Sequence, residues 1–482
     1  MAPLRARAAV KIVALVAGLA LATGVAGAAS TGGAGAPTGP SGSTGASGHT
    51  GPTGHTGATG STGTRHGGGT RPHRVPPPPP APRPVVPLSA VAVAHLQHLM
   101  SAAMQPLGAS SSAYAVDLAT GVILFDDRGT LPRNPASVEK LYTLTTALAR
   151  FGLSGTLQTS VYADGTLGPH GIFYGNLYLR GGGDPTFGDA TFIKRNYGGV
   201  GTSVGQLAVK LIETMHLRKI KGSIIGDESA FDSNRGGPAS GFAADPNLVG
   251  SLSALAFDRG QSGSLGSPAA WAAFRLAGTL RARGVVVTGR SRAGVMSAAT
   301  ARLVTSIDSP PMTALVALTA RPSDDFFAEM LLKALGARFA GAGTTAAGAA
   351  VVSRFLATLG LTPQVADGSG LSRADVTSPR DVETLLRDLS PGGVRSLQAV
   401  GVALRAALPV AAESGTLALR MHHTAAAGRC VAKTGTLSDA SDLAGWCDGS
   451  FAFAFLINNV DVFAAQHAED LMATALAKLV RR

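Results

Sequence analysis

Apolar side chains along the chain fall into three regimes of spacing. From Ile12 to Val25 they form an almost unbroken run, between Ser30 and Pro84 large ones nearly vanish, and from Val91 onward they recur with helix and strand periods. Val91 to Met104 predicts an amphipathic helix, and Ala113 to Asp117 followed by Val122 to Phe125 across Ala119-Thr120-Gly121 predicts a β-hairpin. After Asn134-Pro135, Leu141, Leu144, Leu148 and Ala149 continue a stripe at helical spacing. This predicts a buried helix with Pro135 at its first position and Asn134 as its cap. Near the other end, Val431 to Leu437, Leu443 to Trp446 and Phe451 to Ile457 read as strands, and Phe463 to Val480 as a closing helix. The hairpin needs further strands to complete a sheet, so the two ends of the globular part are expected to build one sheet together.

Between them, Leu157 to Tyr162, Gly171 to Leu179 and Ile220 to Ile225 read as strands, and Val204 to Met215 and Ala269 to Arg283 as helices. This stretch of about 150 residues is domain-sized. A second helical part follows, from Met312 to Leu318, Phe326 to Leu335 and Ala346 to Leu359, with Ser323 at a junction. A cleft is expected between this helical part and the sheet. The expected division is a leader over 1–28, an arm over 29–87, a discontinuous domain over 88–154 and 310–482, and an insertion over 155–309.

Composition changes the picture mainly at the N-terminus. Arg5, Arg7 and Lys11 precede the apolar run, and Ala26-Gly27-Ala28 follows it, the layout of a secretory signal peptide cleaved after Ala28. An uncleaved membrane anchor is the alternative, and both imply export. From Gly39 to Gly63 every third residue is Gly, but the imino acid content is too low for a stable collagen helix, so a flexible spacer is expected. Pro76 to Pro80, Pro82, Pro84 and Pro87 then form a stiff rod. Of the net charge of +12, seven positive charges lie in Met1 to Pro87, which has no acid, leaving +5 for the rest. That balance argues against nucleic acid; the basic arm reads first as a solvated tail, with peripheral contact with anionic envelope polymers or lipid head groups as the alternative. Cys430 and Cys447 are the two cysteines, placed symmetrically about a turn within Leu437 to Ala440. A disulfide across two antiparallel strands is therefore favoured over two buried thiols. Neither a metal nor another cofactor is expected. His422 and His423 are adjacent rather than spaced as ligands, and His49, His55, His66 and His73 fall in the arm.

The candidate chemistry starts at Ser137-Val138-Glu139-Lys140. Three residues apart on a helix, the amine reaches the hydroxyl and can act as its base. Taken alone the pattern is more simply a surface lysine one turn from a helical serine. Downstream, however, Ser323-Asp324-Asp325 and Lys433-Thr434-Gly435-Thr436 follow in the order that S-x-x-K acyl-serine enzymes use. Gly201-Thr202-Ser203-Val204-Gly205 satisfies G-x-S-x-G but follows no strand, so Ser203 is expected to cap a helix instead. Gly181 to Gly183 lacks the lysine of a phosphate loop, and Asp367-Gly368-Ser369-Gly370 reads as a turn.

These three motifs resemble those of the D-alanyl-D-alanine carboxypeptidase and endopeptidase family of low-molecular-mass (class C) penicillin-binding proteins, which carries a large insertion between its first two motifs. Leu179-Arg180-Gly181-Gly182-Gly183-Asp184-Pro185, Asp324 to Gly336, Asp367 to Arg373, Leu408-Pro409 and Ser414 to Leu417 are similar to the same family, from about Val91 onward. The resemblance implies an α/β penicillin-binding or β-lactamase-like transpeptidase fold, an antiparallel sheet flanked by helices plus a helical subdomain, with a large inserted domain. It implies Ser137 as nucleophile, Lys140 as base and Ser323 as proton relay. Asp325, Lys433, Thr434, Gly435 and Thr436 would bind substrate, with backbone N–H groups of Ser137 and Thr436 at the oxyanion. Peptidoglycan stem peptides would be substrates and β-lactams covalent inhibitors. Asp325 departs from the family, which has Asn there. An ionised carboxylate donates no hydrogen bond, and its charge favours a protonated Lys140, so weakened acylation is expected. A weakly active wall-associated scaffold is the alternative reading, and a β-lactamase a more distant one.

Overall fold

Strand periodicity resolves into two separate sheets in the computed structural model, which describes residues 86–480; the expected leader and nearly all of the arm lie outside them. Ser89 caps α1 (Ala90–Met104), and β1 (Ser111–Asp117) and β2 (Ile123–Asp127) form the expected antiparallel hairpin. A 3-10 turn over Ala136–Glu139 leads into α2 (Lys140–Phe151). Next come β3 (Gln158–Leu167), β4 (Ile172–Gly181), α3 (Ala190–Tyr197), α4 (Val204–Met215), β5 (Lys219–Lys221) and β6 (Ile224–Asp227). These are followed by α5 (Pro268–Ala282), β7 (Val286–Val287), β8 (Arg292–Ala293) and β9 (Arg302–Asp308). Helices α6 (Met312–Ala320), α7 (Asp325–Phe339), α8 (Thr345–Ala357), α9 (Pro379–Asp388) and α10 (Gln398–Ala407) precede β10 (Cys430–Leu437), β11 (Ala440–Cys447), β12 (Phe451–Asn458) and α11 (Val462–Ala477).

The first sheet has the order β10-β11-β12-β1-β2, every neighbour antiparallel, so the chain's early hairpin and its late strands share one sheet as expected. Strand β12 shows how it is covered. Phe451, Phe453, Phe455 and Ile457 pack with Leu96 and Met100 of α1 and Met472 and Leu476 of α11. The alternate residues Ala452, Ala454 and Leu456 join a core with α2, α6, α7, α8, α9 and α10. Period-two alternation thus feeds two cores from one strand, and burial on both faces explains its unbroken apolar sequence.

The second sheet draws all its strands from 158–308 and backs onto α4 and α5. The single strand expected over Ile220 to Ile225 is two strands, β5 and β6, both parallel to β4. They break at Gly222-Ser223, where Asn176 Oδ1 takes the Ser223 N–H at 2.9 Å and a Cβ on Gly222 would stand 1.8 Å from Gly175 O. The polar stretch around Ile193 is neither strand nor loop but α3, capped by Asp189 and stopped by Gly198 in the left-handed region. Ser203 caps α4 in a reciprocal capping box with Gln206, as expected, so Gly201 to Gly205 is no nucleophile elbow. Helices α9 and α10 lie outside the expected set. Among the described residues no helix is long and apolar enough to cross a membrane.

Candidate active site

The turn that carries Ser137 differs from the expected helix start in an instructive way. Pro135 and Asn134 lie before a 3-10 turn, and α2 begins only at Lys140. Because residues i and i+3 eclipse in a 3-10 turn, Ser137 and Lys140 stack more directly than on an α-helix. Lys140 Nζ lies 2.8 Å from Ser137 Oγ. Asn134 works on both sides of the turn: Oδ1 accepts from Ala136 N at 3.1 Å, and Nδ2 donates to the carbonyls of Ser372 and Asp375. Its backbone exchanges two hydrogen bonds with the side chain of Asn458, fastening the turn to the end of β12.

Lys140 is wholly buried yet has three acceptors: Ser137 Oγ, Asp325 Oδ1 at 2.6 Å and Ser369 O at 2.6 Å. An ammonium can donate to all three. A neutral amine, with two N–H groups and one lone pair, keeps the same partners if Ser137 donates instead. Asp325 opens α7, and burial pushes its carboxyl above the ordinary carboxylate range against the pull of the Lys140 ammonium. Two residues before it, Ser323 sits in the left-handed region at φ +61° and its hydroxyl accepts from Lys433 Nζ at 2.7 Å. Lys433 also donates to Thr434 O at 2.6 Å, and burial together with the Lys140 charge holds its amine well below the usual lysine range. The structure therefore brings together two hydrogen-bonded groups, Ser137–Lys140–Asp325 and Ser323–Lys433, carried on the same Ser323-Asp324-Asp325 segment.

The remaining expected residues lie along β10. Thr434 Oγ1 is 2.7 Å from Thr416 Oγ1 in the Ser414 to Leu417 stretch, and Thr436 is exposed opposite Ser441. A Cβ on Gly435 would stand 2.8 Å from Pro135 O and 3.0 Å from Asp442. The missing side chain thus lets β10 close on the turn that carries Ser137. Cys430 and Cys447 pair directly across β10 and β11 and are joined by a disulfide. Among the described residues no cluster of His, Cys, Asp or Glu fits a metal ion.

Two contributors went unread in the sequence. Ser369 presents its backbone carbonyl to Lys140, and Glu329 holds that carbonyl in place, because Glu329 Oε1 accepts the N–H groups of Gly368 and Ser369, each at 2.9 Å. Asp367 accepts from Ser369, Gly370 and Ser372, so the segment taken for a turn is a buried loop wrapped around a carboxylate. Gly370, at φ +79°, passes so close to Ala136 O that a Cβ would stand 1.8 Å away. Burial, with Asp367 nearby, pushes Glu329 up to about 8 and Asp375 up to about 9. The available signal was the acid in each stretch: Asp367 heading a Gly-rich run, and Glu329 at an otherwise apolar position of α7.

Comparison with known proteins agrees with this geometry. The model of the D-Ala-D-Ala carboxypeptidase 3 (S13) family matches residues 95–247 and 243–479. A D-alanyl-D-alanine carboxypeptidase of Actinomadura sp. (strain R39) is 30% identical over 446 residues, spanning 77% of this chain and 82% of that protein. Penicillin-binding protein 4 of Haemophilus influenzae has the same fold at 19% identity, with a TM-score of 0.63 over 77% of this chain and 97% of that one. Its complex with a β-lactam superposes with a TM-score of 0.59 at 20% identity, over the same shares of both chains. The motif resemblance, the sheet that joins the chain's two ends and the match over most of the described residues agree, and the chain belongs to the D-Ala-D-Ala carboxypeptidase 3 (S13) family of serine hydrolases.

Proposed function

We propose that the protein is an exported serine-type D-Ala-D-Ala carboxypeptidase, with or without D,D-endopeptidase activity, working on peptidoglycan stem peptides through an acyl-serine intermediate. The observation that carries this reading is the contact between Lys140 Nζ and Ser137 Oγ at 2.8 Å inside a buried cluster that also holds the Ser323–Lys433 pair. Ser137 Oγ attacks the carbonyl between the two terminal D-alanines while Lys140 takes its proton. The oxyanion rests on the N–H groups of Ser137 and Thr436. Ser323, fed by Lys433, passes a proton to the departing amine, and water then hydrolyses the ester. Lys433, Thr434 and Thr436 steer the substrate carboxylate. A β-lactam enters the same path, with Ser137 as the acylated residue. Export is supported by the leader-like N-terminus and by the disulfide, which suits an oxidising compartment. On the same reading, 155–309 is an inserted domain, a division supported by a sheet drawn entirely from 158–308.

A weakly active wall-associated scaffold is the second reading, favoured by one observation, the ion pair of Asp325 with Lys140. The experiment that divides the readings is release of D-alanine from a pentapeptide stem, run beside cleavage of a cross-linked dimer. Turnover of either supports the enzyme, and the ratio of the two assigns its main activity. No turnover of either, with the fold intact, supports the scaffold.

A further inference from the structure

The middle motif is held by a side chain from the connection between β6 and α5. Asp324, between Ser323 and Asp325, caps α7 by accepting Phe327 N at 3.0 Å. Its carboxylate also accepts two hydrogen bonds from Arg259, from Nη1 at 2.7 Å and from Nη2 at 3.1 Å. Arg259 lies between β6 and α5, in the stretch that builds the second sheet. Two more of its five donors are committed as well: Nε to Val249 O at 2.9 Å and Nη2 to Leu248 O at 2.7 Å. The guanidinium lies over the Phe326 ring, 4.6 Å from its centroid. Both Asp258 and Arg259 have positive φ, at 47° and 64°, so the backbone is bent to aim this side chain. The site it serves is strained too. Ser323 holds φ +61°, which a non-glycine residue keeps only where its surroundings impose it.

We infer that Arg259 is a positioning residue for acylation, gripping Asp324 with both Nη groups so that Ser323 faces Lys433. The inference rests on the acyl-serine reading above. A planar guanidinium matches a carboxylate in two places and fixes its plane, which an ammonium cannot do. Without that grip the strained backbone at Ser323 relaxes, and the Ser323–Lys433 pair loses its registration while the rest of the fold persists.

A second ion pair supplies the control. Lys333, two turns further along α7, pairs with Asp232 of the same chain stretch at 2.5 Å but lies away from the motif. The test measures single-turnover acylation by a fluorescent penicillin, resolving the binding constant from the acylation rate constant, beside thermal melting. Arg259→Met is expected to lower the acylation rate constant by about 10- to 100-fold with binding little changed, the size of loss that small misplacements of reacting groups produce. Arg259→Lys should fall between, and Asp324→Asn, which keeps a capping oxygen, should slow the same step. Arg259→Met combined with Asp324→Asn should be no slower than the worse single variant. Lys333→Met should lower the melting temperature and leave the rate constant of the folded protein unchanged. Wild-type rate constants in folded Arg259→Lys and Asp324→Asn would overturn the inference, as would an equal loss in Lys333→Met. If the native protein forms no adduct, the acyl-serine reading itself has failed. A labelled native protein with unaffected variants sinks only the role of Arg259.

Discussion

Lys140 and Asp325 form an ion pair at 2.6 Å in which the lysine side chain is fully buried and the carboxylate partly exposed. The same amine touches the Ser137 hydroxyl. Asp325→Asn keeps the shape and supplies an amide donor while removing the charge, so penicillin labelling is expected to rise, by about tenfold if the change is worth about 1.4 kcal/mol in the barrier to acylation. The gap should narrow as pH falls. Asp325 holds its proton to higher pH than an ordinary aspartate because of burial, and a protonated carboxyl, like an amide, both donates and accepts. Rates measured from acid to neutral pH in both proteins decide this, and identical profiles would count against it.

The buried carboxyl of Glu329 makes a stability prediction. Its folded value of about 8 lies above the unfolded value near 4.5, so the protonated form favours folding. That contribution is complete below about 4.5 and is lost as pH rises through about 8, at up to about 1.4 kcal/mol per pH unit in between. Lys433 acts with the opposite sign, since its lowered value makes folding more favourable as pH rises. The clean comparison is therefore Glu329→Gln, which still accepts the Gly368 and Ser369 N–H groups. The melting temperature of the native protein should fall relative to this variant between pH 5 and pH 9. A constant difference would contradict the assignment.

Much of this was legible in advance because it is written in short periods. Alternation in β12, the heptad-like stripe of α2 and the symmetric cysteines each need only local geometry, and each matches the fold. Three Ser/Lys motifs were legible for a different reason, since their chemistry restricts residue type. What escaped were contacts whose partners are backbone atoms or long-range acids. The Ser369 carbonyl carries no side-chain signature, and Glu329 looks like any acid on a helix until its position beneath the loop is known. The 3-10 start at Ser137 likewise depends on Asn134 binding Ser372 and Asp375, more than two hundred residues away.

Gly435→Ala tests how closely β10 is packed against the nucleophile turn. The added methyl would lie 2.8 Å from Pro135 O, so the strand must shift, at a cost of about 1–3 kcal/mol. Because Lys433 moves with it, acylation should drop at least as clearly as the melting temperature. A variant that is less stable yet acylates at the native rate would show that the strand tolerates the shift.

Reduction of the Cys430–Cys447 bridge should cost about 3 kcal/mol of stability, the size expected for a short closed loop. Its sequence separation is 17 residues, and it ties the start of β10, three residues before Lys433, to the end of β11. Melting with and without reductant measures this, with Cys430→Ser/Cys447→Ser as the check. The penicillin rate constant is expected to change less than twofold, roughly within the scatter of context effects for surface-distant sites; a collapse of acylation would place the bridge within the site's machinery.

The account turns on Ser137 as the atom that bonds to substrate, and mapping a covalent penicillin adduct by peptide mass spectrometry asks that question directly. The native protein should carry one adduct, on the peptide containing Ser137, and Ser137→Ala should carry none while melting as the native protein does. An adduct on another residue, or full labelling of Ser137→Ala, would contradict it.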